Sequence, residues 1–264
     1  MLRLGFIGAG NMGGALALAA AKKEGNSILL SDKIPGKAEA LAERIGGSAV
    51  SNAEIAERAD YIFLGVKPQM LTETVGEIRD VLKKRSDRFV LVTMAAGTSI
   101  EKISVLTGAE YPTIRIMPNT PVSVGEGMVL YTSGFGVTAE EISAFLSAFS
   151  EAGRFAVVPE RLIDAGASVA GCGPAFVDLF AEALADGGVA CGIPRALALE
   201  LAAQMIYGSA KLLLESGKHP GELKDAVCSP GGTTIQGVRA LEEGAFRASV
   251  MNAVIAAYEK NFDL

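Results

Sequence analysis

The chain has 264 residues, half of them hydrophobic and a fifth charged, with 24 basic and 30 acidic side chains and a formal charge of −6. That length allows one large or two modest domains with a full core. The acidic balance excludes a nucleic-acid partner, because such binders need a basic face to displace counterions. His219 is the only histidine, and Cys172, Cys191 and Cys228 are odd in number and widely spaced. A His-rich metal site, a zinc site and a disulfide frame are therefore not expected, and a reduced cytoplasmic setting is. No apolar run reaches the length of a membrane span, and the N-terminal "MLRLGFIGAG" enters a strand without a signal-peptide layout. Neither a membrane partner nor export is expected.

In chain order the predicted strands are "RLGFIG" (3–8), "SILLSD" (27–32), "YIFLGV" (61–66), "FVLVTM" (89–94) and "TIRIMP" (113–118). Near-continuous apolar runs of this kind imply strands covered on both faces, hence a largely parallel sheet. Between them, Thr98–Glu101 and Thr138–Glu141 fit the capping-box spacing, and Pro35 suits a first helical turn. This is a doubly wound α/β layout. Beyond Pro159 the pattern is helical throughout, broken at "GCGP", "GIP", "GKHPG" and "SPGG". The expected organisation is a dinucleotide-binding domain over 1–159 and an all-helical domain over 160–264. The stretch from Arg195 to Leu214 is apolar nearly all round, with Leu197, Leu199, Leu201, Met205, Ile206 and Leu212 to Leu214. Such a helix must be buried on all sides, so this half is expected to pack against a second copy of itself.

The segment "GFIGAGNMG" sets Gly8, Gly10 and Gly13 in a G-x-G-x-x-G spacing between a strand and a helix. The first glycine permits the tight turn, the second lets backbone approach a pyrophosphate, and the third allows close helix–sheet packing. The helix N-terminus then offers amides and a positive dipole end to phosphates. Asp32 ends the second strand, where an acceptor for a ribose 2′-hydroxyl would sit, and it reads equally as a turn residue. A carboxylate there disfavours the 2′-phosphate of NADP, whereas neighbouring Lys33 and Lys37 favour it, so NADPH and NADH both stay open. Two further loops, "GVKPQ" (65–69) and "MAAGTS" (94–99), lie at strand ends where ligands bind in such sheets, and each also reads as an ordinary turn. Lys67 reads as a solvated charge, a phosphate or ribose contact, or a proton donor.

Taken together, "GFIGAGNMG", "VKPQ", "AAG", "IRIMPNTP", "ADGGVACGIPR" and the stretch "HPGELKDAVCSPGGTTIQGVRALEE" resemble the pyrroline-5-carboxylate reductases, over essentially the whole chain. The resemblance implies a Rossmann-type doubly wound sheet followed by an all-helical dimerisation domain that interlocks two copies, with further assembly of dimers in some members. It implies NADPH or NADH as cofactor, no metal, and reduction of 1-pyrroline-5-carboxylate to proline as the reaction. It places Gly8, Ala9, Gly10, Asn11, Met12 and Gly13 at the pyrophosphate. Asp32 and Lys33 would stand near the adenosine ribose, with Asn52 toward the adenosine. Val66, Lys67, Pro68, Ala95, Ala96 and Gly97 would line the nicotinamide half, with Asn119 close by. The family's "SGSGPAY" reads "AGCGPAF" from Ala170 to Phe176, which removes three hydroxyls, at Ala170, Cys172 and Phe176.

Hydride transfer to a cyclic imine needs orientation and electrostatics more than a strong acid, because a protonated imine is already electrophilic. The carboxylate must be held firmly so that the ring carbon faces the cofactor. In "SPGGTT", Pro230 and two glycines end one helix and expose amides at the start of the next, which accepts a carboxylate without a cationic side chain. Thr233 and Thr234 add hydroxyls that donate and accept. By resemblance Ser229, Gly232 and Thr233 hold the carboxylate and Thr234 stands nearest the ring nitrogen, as the candidate catalytic residue. Read alone, the same segment is a Pro-Gly turn with a threonine N-cap.

His219 reads as a helix-start residue, Cys228 as small apolar filler, and Met117 and Met128 as core. Asp178, Glu182 and Asp186 read as a solvated stripe. A β-hydroxyacid dehydrogenase shares the layout but needs a lysine that "GCGPAFVDLFAEALADGG" lacks. A non-catalytic dinucleotide-sensing dimer explains the front motif and leaves "SPGGTT" without a task.

Overall fold

The computed structural model describes residues 1–261. The chain forms two compact units, residues 1–172 with 257–261, and residues 173–256. In the first unit come β1 (Leu2–Ile7), α1 (Asn11–Ala21), β2 (Asn26–Ser31), α2 (Lys37–Ile45), β3 (Ser48–Ala49), α3 (Asn52–Arg58) and β4 (Tyr61–Leu64). They continue as α4 (Leu71–Lys84), β5 (Val90–Thr93), α5 (Ile100–Thr107), β6 (Thr113–Met117), β7 (Gly127–Ser133), α6 (Ala139–Ala148), β8 (Gly153–Val157) and α7 (Ile163–Ala170). The eight strands form one sheet in the order β3-β2-β1-β4-β5-β6-β7-β8. Every neighbouring pair is parallel except β6–β7. The strand order reverses between β1 and β4, which opens a crevice at their C-terminal ends.

The sheet is buried on both faces, as the continuous apolar strands require. On one side Phe6 and Phe63 stack with ring centroids 4.4 Å apart, and Phe149 lies against Phe63 at 5.3 Å. On the other, Ile62 and Leu64 pack on Val75 and Ile78 of α4. Tyr61 donates its hydroxyl to the Glu141 carbonyl at 2.6 Å. Burial first, then the charges of Glu141 and Asp60, push its pKa up to about 12.

All five predicted strands are present; β3, β7 and β8 were not foreseen. Only nine residues join β6 to β7, too few for a crossover helix, so β7 runs antiparallel. The capping box at Thr138 and Glu141 forms as expected. The one expected at Thr98 does not: Ser99 caps α5 by accepting the Lys102 amide, and Thr98 is fully buried. Pro35 likewise falls before the helix, because Gly36 in a left-handed conformation starts α2. Met117 and Met128, expected in the core, are half-buried.

The first unit extends past Pro159 because α7 packs on the sheet. A side chain on Gly166 would meet Leu130 at 2.4 Å. Arg115 of β6, 3% exposed at its side chain, donates to Asp164 at 2.6 Å and to Glu160 at 3.5 Å. Glu160 also accepts the Ile100 amide at 2.8 Å, so one buried guanidinium ties β6 to the starts of α5 and α7.

The second unit is helical: α8 (Gly173–Ala190), α9 (Arg195–Ser216), α10 (Pro220–Ala226), α11 (Thr233–Glu243) and most of α12 (Phe246–Lys260). Helices α8 and α9 form a hairpin closed by an Asp186–Arg195 ion pair of 2.6 Å. Within the chain only Ala198 and Ala202 of α9 are buried, while Leu201 is 51% and Leu214 59% exposed. The expectation that no segment reaches a membrane-spanning length needs correction. Glu160–Ala190 and Arg195–Ser216 are long and apolar enough to cross a membrane by length and composition alone. Polar residues scattered along both stretches keep either from being an unbroken apolar run.

Arg115→Ala would strand two carboxylates at one sheet edge. Removing a partner from a fully buried pair costs about 3–5 kcal/mol; with Glu160 and Asp164 each about a third exposed, a loss of roughly 2–3 kcal/mol in urea unfolding is expected.

Candidate active site

Three glycines shape the crevice between β1 and β4, each for a separate reason. Gly8 has φ +103°, and a side chain there would lie 2.7 Å from the Gly65 carbonyl oxygen. A side chain on Gly13 would meet the Gly8 carbonyl oxygen at 2.1 Å, so α1 could not lie so close to β1. At Gly10 the nearest protein atom to such a group would be Lys37 Nζ at 4.0 Å. The packing of the chain itself therefore leaves room for a side chain at position 10.

Gly10 is also the N-cap of α1, makes no side-chain cap, and is followed by no acid in the first turn. The amides of Asn11, Met12 and Gly13 thus open the helix with its positive end unfilled, as a phosphate requires. Beside them lies a groove of about 740 Å³ bordered by Gly8, Gly10, Asp32, Lys33, Asn52, Val66 and Lys67. Its size and its donor set fit a dinucleotide.

Asp32 does more than end a strand. Its carboxylate accepts the Ala9 amide at 2.8 Å and the Ile34 amide at 2.9 Å, bracing the glycine turn from below. Lys37 Nζ stands 3.8 Å away. Asn52 accepts from the Ser31 hydroxyl and donates to Glu77, both at 2.5 Å. Lys33 is bonded to Glu73 at 3.0 Å. Neither glutamate was singled out from the sequence; their spacing of four on the helix after "GVKPQ" was the available signal.

The remaining front-half candidates lie around the same sheet edge. Val66 and Lys67 border the groove, and Pro68 opens the short 3-10 turn that leads into α4. Ala95, Ala96 and Gly97 form the turn after β5, with Ala95 buried and Gly97 exposed at φ +64°. Asn119 is 8% exposed, and each end of its amide makes one hydrogen bond: Oδ1 accepts the Met128 amide at 2.9 Å and Nδ2 donates to the Ala170 carbonyl at 3.0 Å. It braces β7 against the end of α7.

In the second unit, the segment from Ser229 to Thr234 joins α10 to α11. The expectation of a threonine N-cap, the reading of this segment in isolation, is not met. Gly232 is the N-cap, without a side-chain cap and without an acid in the first turn. Thr233 and Thr234 are exposed, and their hydroxyls have no hydrogen-bond partner among the described residues. Gly231 takes φ +69°, which reverses the chain. The Gly232 amide donates to the Ser229 carbonyl at 3.0 Å, so the free amides begin at Thr233. A side chain on Gly232 would meet Ser229 Oγ at 2.4 Å, so the glycine keeps that hydroxyl in place. This end of α11 offers amides and hydroxyls to an anion and no competing charge.

Other residues find their expected bland roles. His219 caps α10, accepting the Gly221 amide at 3.1 Å. Cys228 is half-buried, and Asp178, Glu182 and Asp186 are exposed. No group of three or more metal-ligating side chains occurs among the described residues.

Known proteins match along the whole chain. The family model for pyrroline-5-carboxylate reductase dimerisation fits residues 160–264, and that for NADP oxidoreductase, coenzyme F420-dependent, fits residues 3–97. The pyrroline-5-carboxylate reductase of Escherichia coli K12 is 42% identical over 98% of this chain and 97% of its own length. That of Arabidopsis thaliana is 40% identical over 99% and 95%. Among solved structures, pyrroline carboxylate reductase of Plasmodium falciparum with NADP bound superposes with a TM-score of 0.88 at 33% identity, covering 99% of this chain and 98% of that one. The Streptococcus pyogenes enzyme gives 0.89 at 30% identity, covering 100% and 99%. With its glycine-built dinucleotide groove and its helical dimerisation module, the chain belongs to the pyrroline-5-carboxylate reductase family, the NAD(P)H-dependent oxidoreductases that complete proline synthesis.

Proposed function

We propose that this chain reduces the C=N bond of 1-pyrroline-5-carboxylate to give L-proline, and that Ser229, Gly232, Thr233 and Thr234 form its substrate site. The observation that carries the site is the start of α11, which opens on glycine with no cap, no acid and two unengaged hydroxyls. When bound, the reduced nicotinamide supplies a hydride to the imine carbon. The chain's own part is to hold the carboxylate on the Thr233 and Thr234 amides and the Ser229 hydroxyl, which fixes the ring. Thr234 directs its hydroxyl at the ring nitrogen, which carries the added proton in the product. The glycine turn at Gly8 to Gly13 holds the pyrophosphate, with Asp32, Lys33 and Asn52 at the adenosine side. Val66, Lys67, Pro68, Ala95, Ala96 and Gly97 form the nicotinamide side. Asn119 stands close to the nicotinamide, held by its bonds to Met128 and Ala170 with one amide hydrogen still to donate.

We assign residues 1–159 to the dinucleotide-binding module and 160–264 to the dimerisation and substrate module, with α7 as the part of the latter that packs on the sheet. A second copy covers the exposed leucines of α9, and dimers can assemble further. Polar residues at intervals along α9, Glu200, Gln204, Lys211 and Glu215, support a protein partner there rather than lipid. The acidic charge and reduced cysteines support a cytoplasmic enzyme without nucleic-acid binding.

Purified protein should oxidise NADPH or NADH only when pyrroline-5-carboxylate is present, with proline as product; no turnover with either coenzyme would overturn the assignment. Thr234→Ala should lower kcat about tenfold or more while the coenzyme KM stays within about twofold, as read by steady-state rates. Gly10→Ala should weaken coenzyme binding by about tenfold in a fluorescence titration with little change in Tm. Gly8→Ala should lower Tm as well, because its backbone conformation is closed to a side chain.

A further inference from the structure

The end of β2 normally decides between the two nicotinamide coenzymes, since a free carboxylate there accepts the ribose 2′-hydroxyl and repels a 2′-phosphate. In this chain Asp32 is poorly placed for that task. Its side chain is 10% exposed, both oxygens are bonded to backbone amides, and Lys37 stands 3.8 Å from one of them. The ammonium next along the chain, Lys33, borders the groove where a 2′-phosphate would need a cation. It is not free either. Glu73, in the first turn of α4, takes Lys33 Nζ on both oxygens, at 3.0 and 3.3 Å. This pair is open to solvent, with side chains 68% and 60% exposed, so an incoming ligand can reach it.

We propose that Glu73, not Asp32, sets the coenzyme preference of this enzyme, by holding the Lys33 ammonium that a 2′-phosphate would otherwise use. Two consequences follow from the charges. A 2′-phosphate must compete with the Glu73 carboxylate for Lys33 and also meets the repulsion of that carboxylate. A ribose hydroxyl meets neither penalty. The anchored Asp32 then acts on both coenzymes equally, through the shape of the glycine turn.

The inference rests on the dinucleotide site proposed above, and its test compares kcat/KM for NADPH and NADH in the wild type and in Glu73→Gln, Lys33→Met and the double variant. Glu73→Gln should raise the NADPH-to-NADH ratio about fivefold, on the scale of an exposed charge contact, and Lys33→Met should lower it. In the Lys33→Met background, Glu73→Gln should change the ratio much less. Asp32→Ala should weaken both coenzymes together. A Glu73→Gln ratio within about twofold of wild type would overturn the proposal. So would an equal shift with and without Lys33, or a reversal of preference by Asp32→Ala alone. Should the enzyme fail to reduce pyrroline-5-carboxylate, calorimetric titration with NADP⁺ and NAD⁺ yields the same ratio as dissociation constants, so the two readings fail separately.

Discussion

A helix that opens on glycine without a side-chain cap leaves its first amides unpaired, and two helices here do so with no acid nearby: α1 after Gly10 and α11 after Gly232. Helix α9 also begins without a cap or a first-turn acid, but after Pro194 rather than glycine, and several other helix starts are filled. Ser51, Ser99, Thr138 and His219 each fill an amide of the helix they begin. Where α2 also starts on glycine, Glu39 stands in its first turn. Unpaired amides at a helix start favour an anion by electrostatics alone. A dinucleotide pyrophosphate and a substrate carboxylate are the two anions that the reaction requires.

The first of these starts depends on close backbone contact at the sheet's crevice. Gly8, Gly13 and Gly65 approach one another so nearly that a methyl group on any of them would meet a carbonyl oxygen at 2.9 Å or less. Asp32 then fixes the turn by accepting the Ala9 amide. The carboxylate is thereby withdrawn from the ligand, which moves the electrostatic discrimination of the groove onto α4 and its Glu73. Packing of the turn and recognition of the ribose are thus linked through one side chain.

Much of this was legible in the sequence. Continuous apolar runs such as "YIFLGV" showed a two-sided sheet, and the glycine spacing showed where the crevice lies. Strands β7 and β8 escaped because they are only partly buried at one end of the sheet, with neither the unbroken run of a central strand nor a strict alternation. The Thr98 cap failed for a reason of packing: that side chain is wanted inside, so the cap moved to Ser99. The threonine cap at α11 failed because the chain places glycine at the N-cap and moves both threonines one step into the helix. The roles of Glu73 and Arg115 rest on pairs 40 or more residues apart, as does the bond of Asn119 to Ala170, and spacing along a single sequence does not reveal them. The leucines of α9, by contrast, announced their need for a partner in composition alone.

The account stands or falls on whether the uncapped start of α11 receives the substrate's carboxylate. A crystal structure of the enzyme with NADP⁺ and a non-reacting ring carboxylate answers this directly. The account predicts carboxylate oxygens on the Thr233 and Thr234 amides and the Ser229 hydroxyl, with the Thr234 hydroxyl toward the ring nitrogen. A ligand seated elsewhere, with those amides facing water, would contradict it.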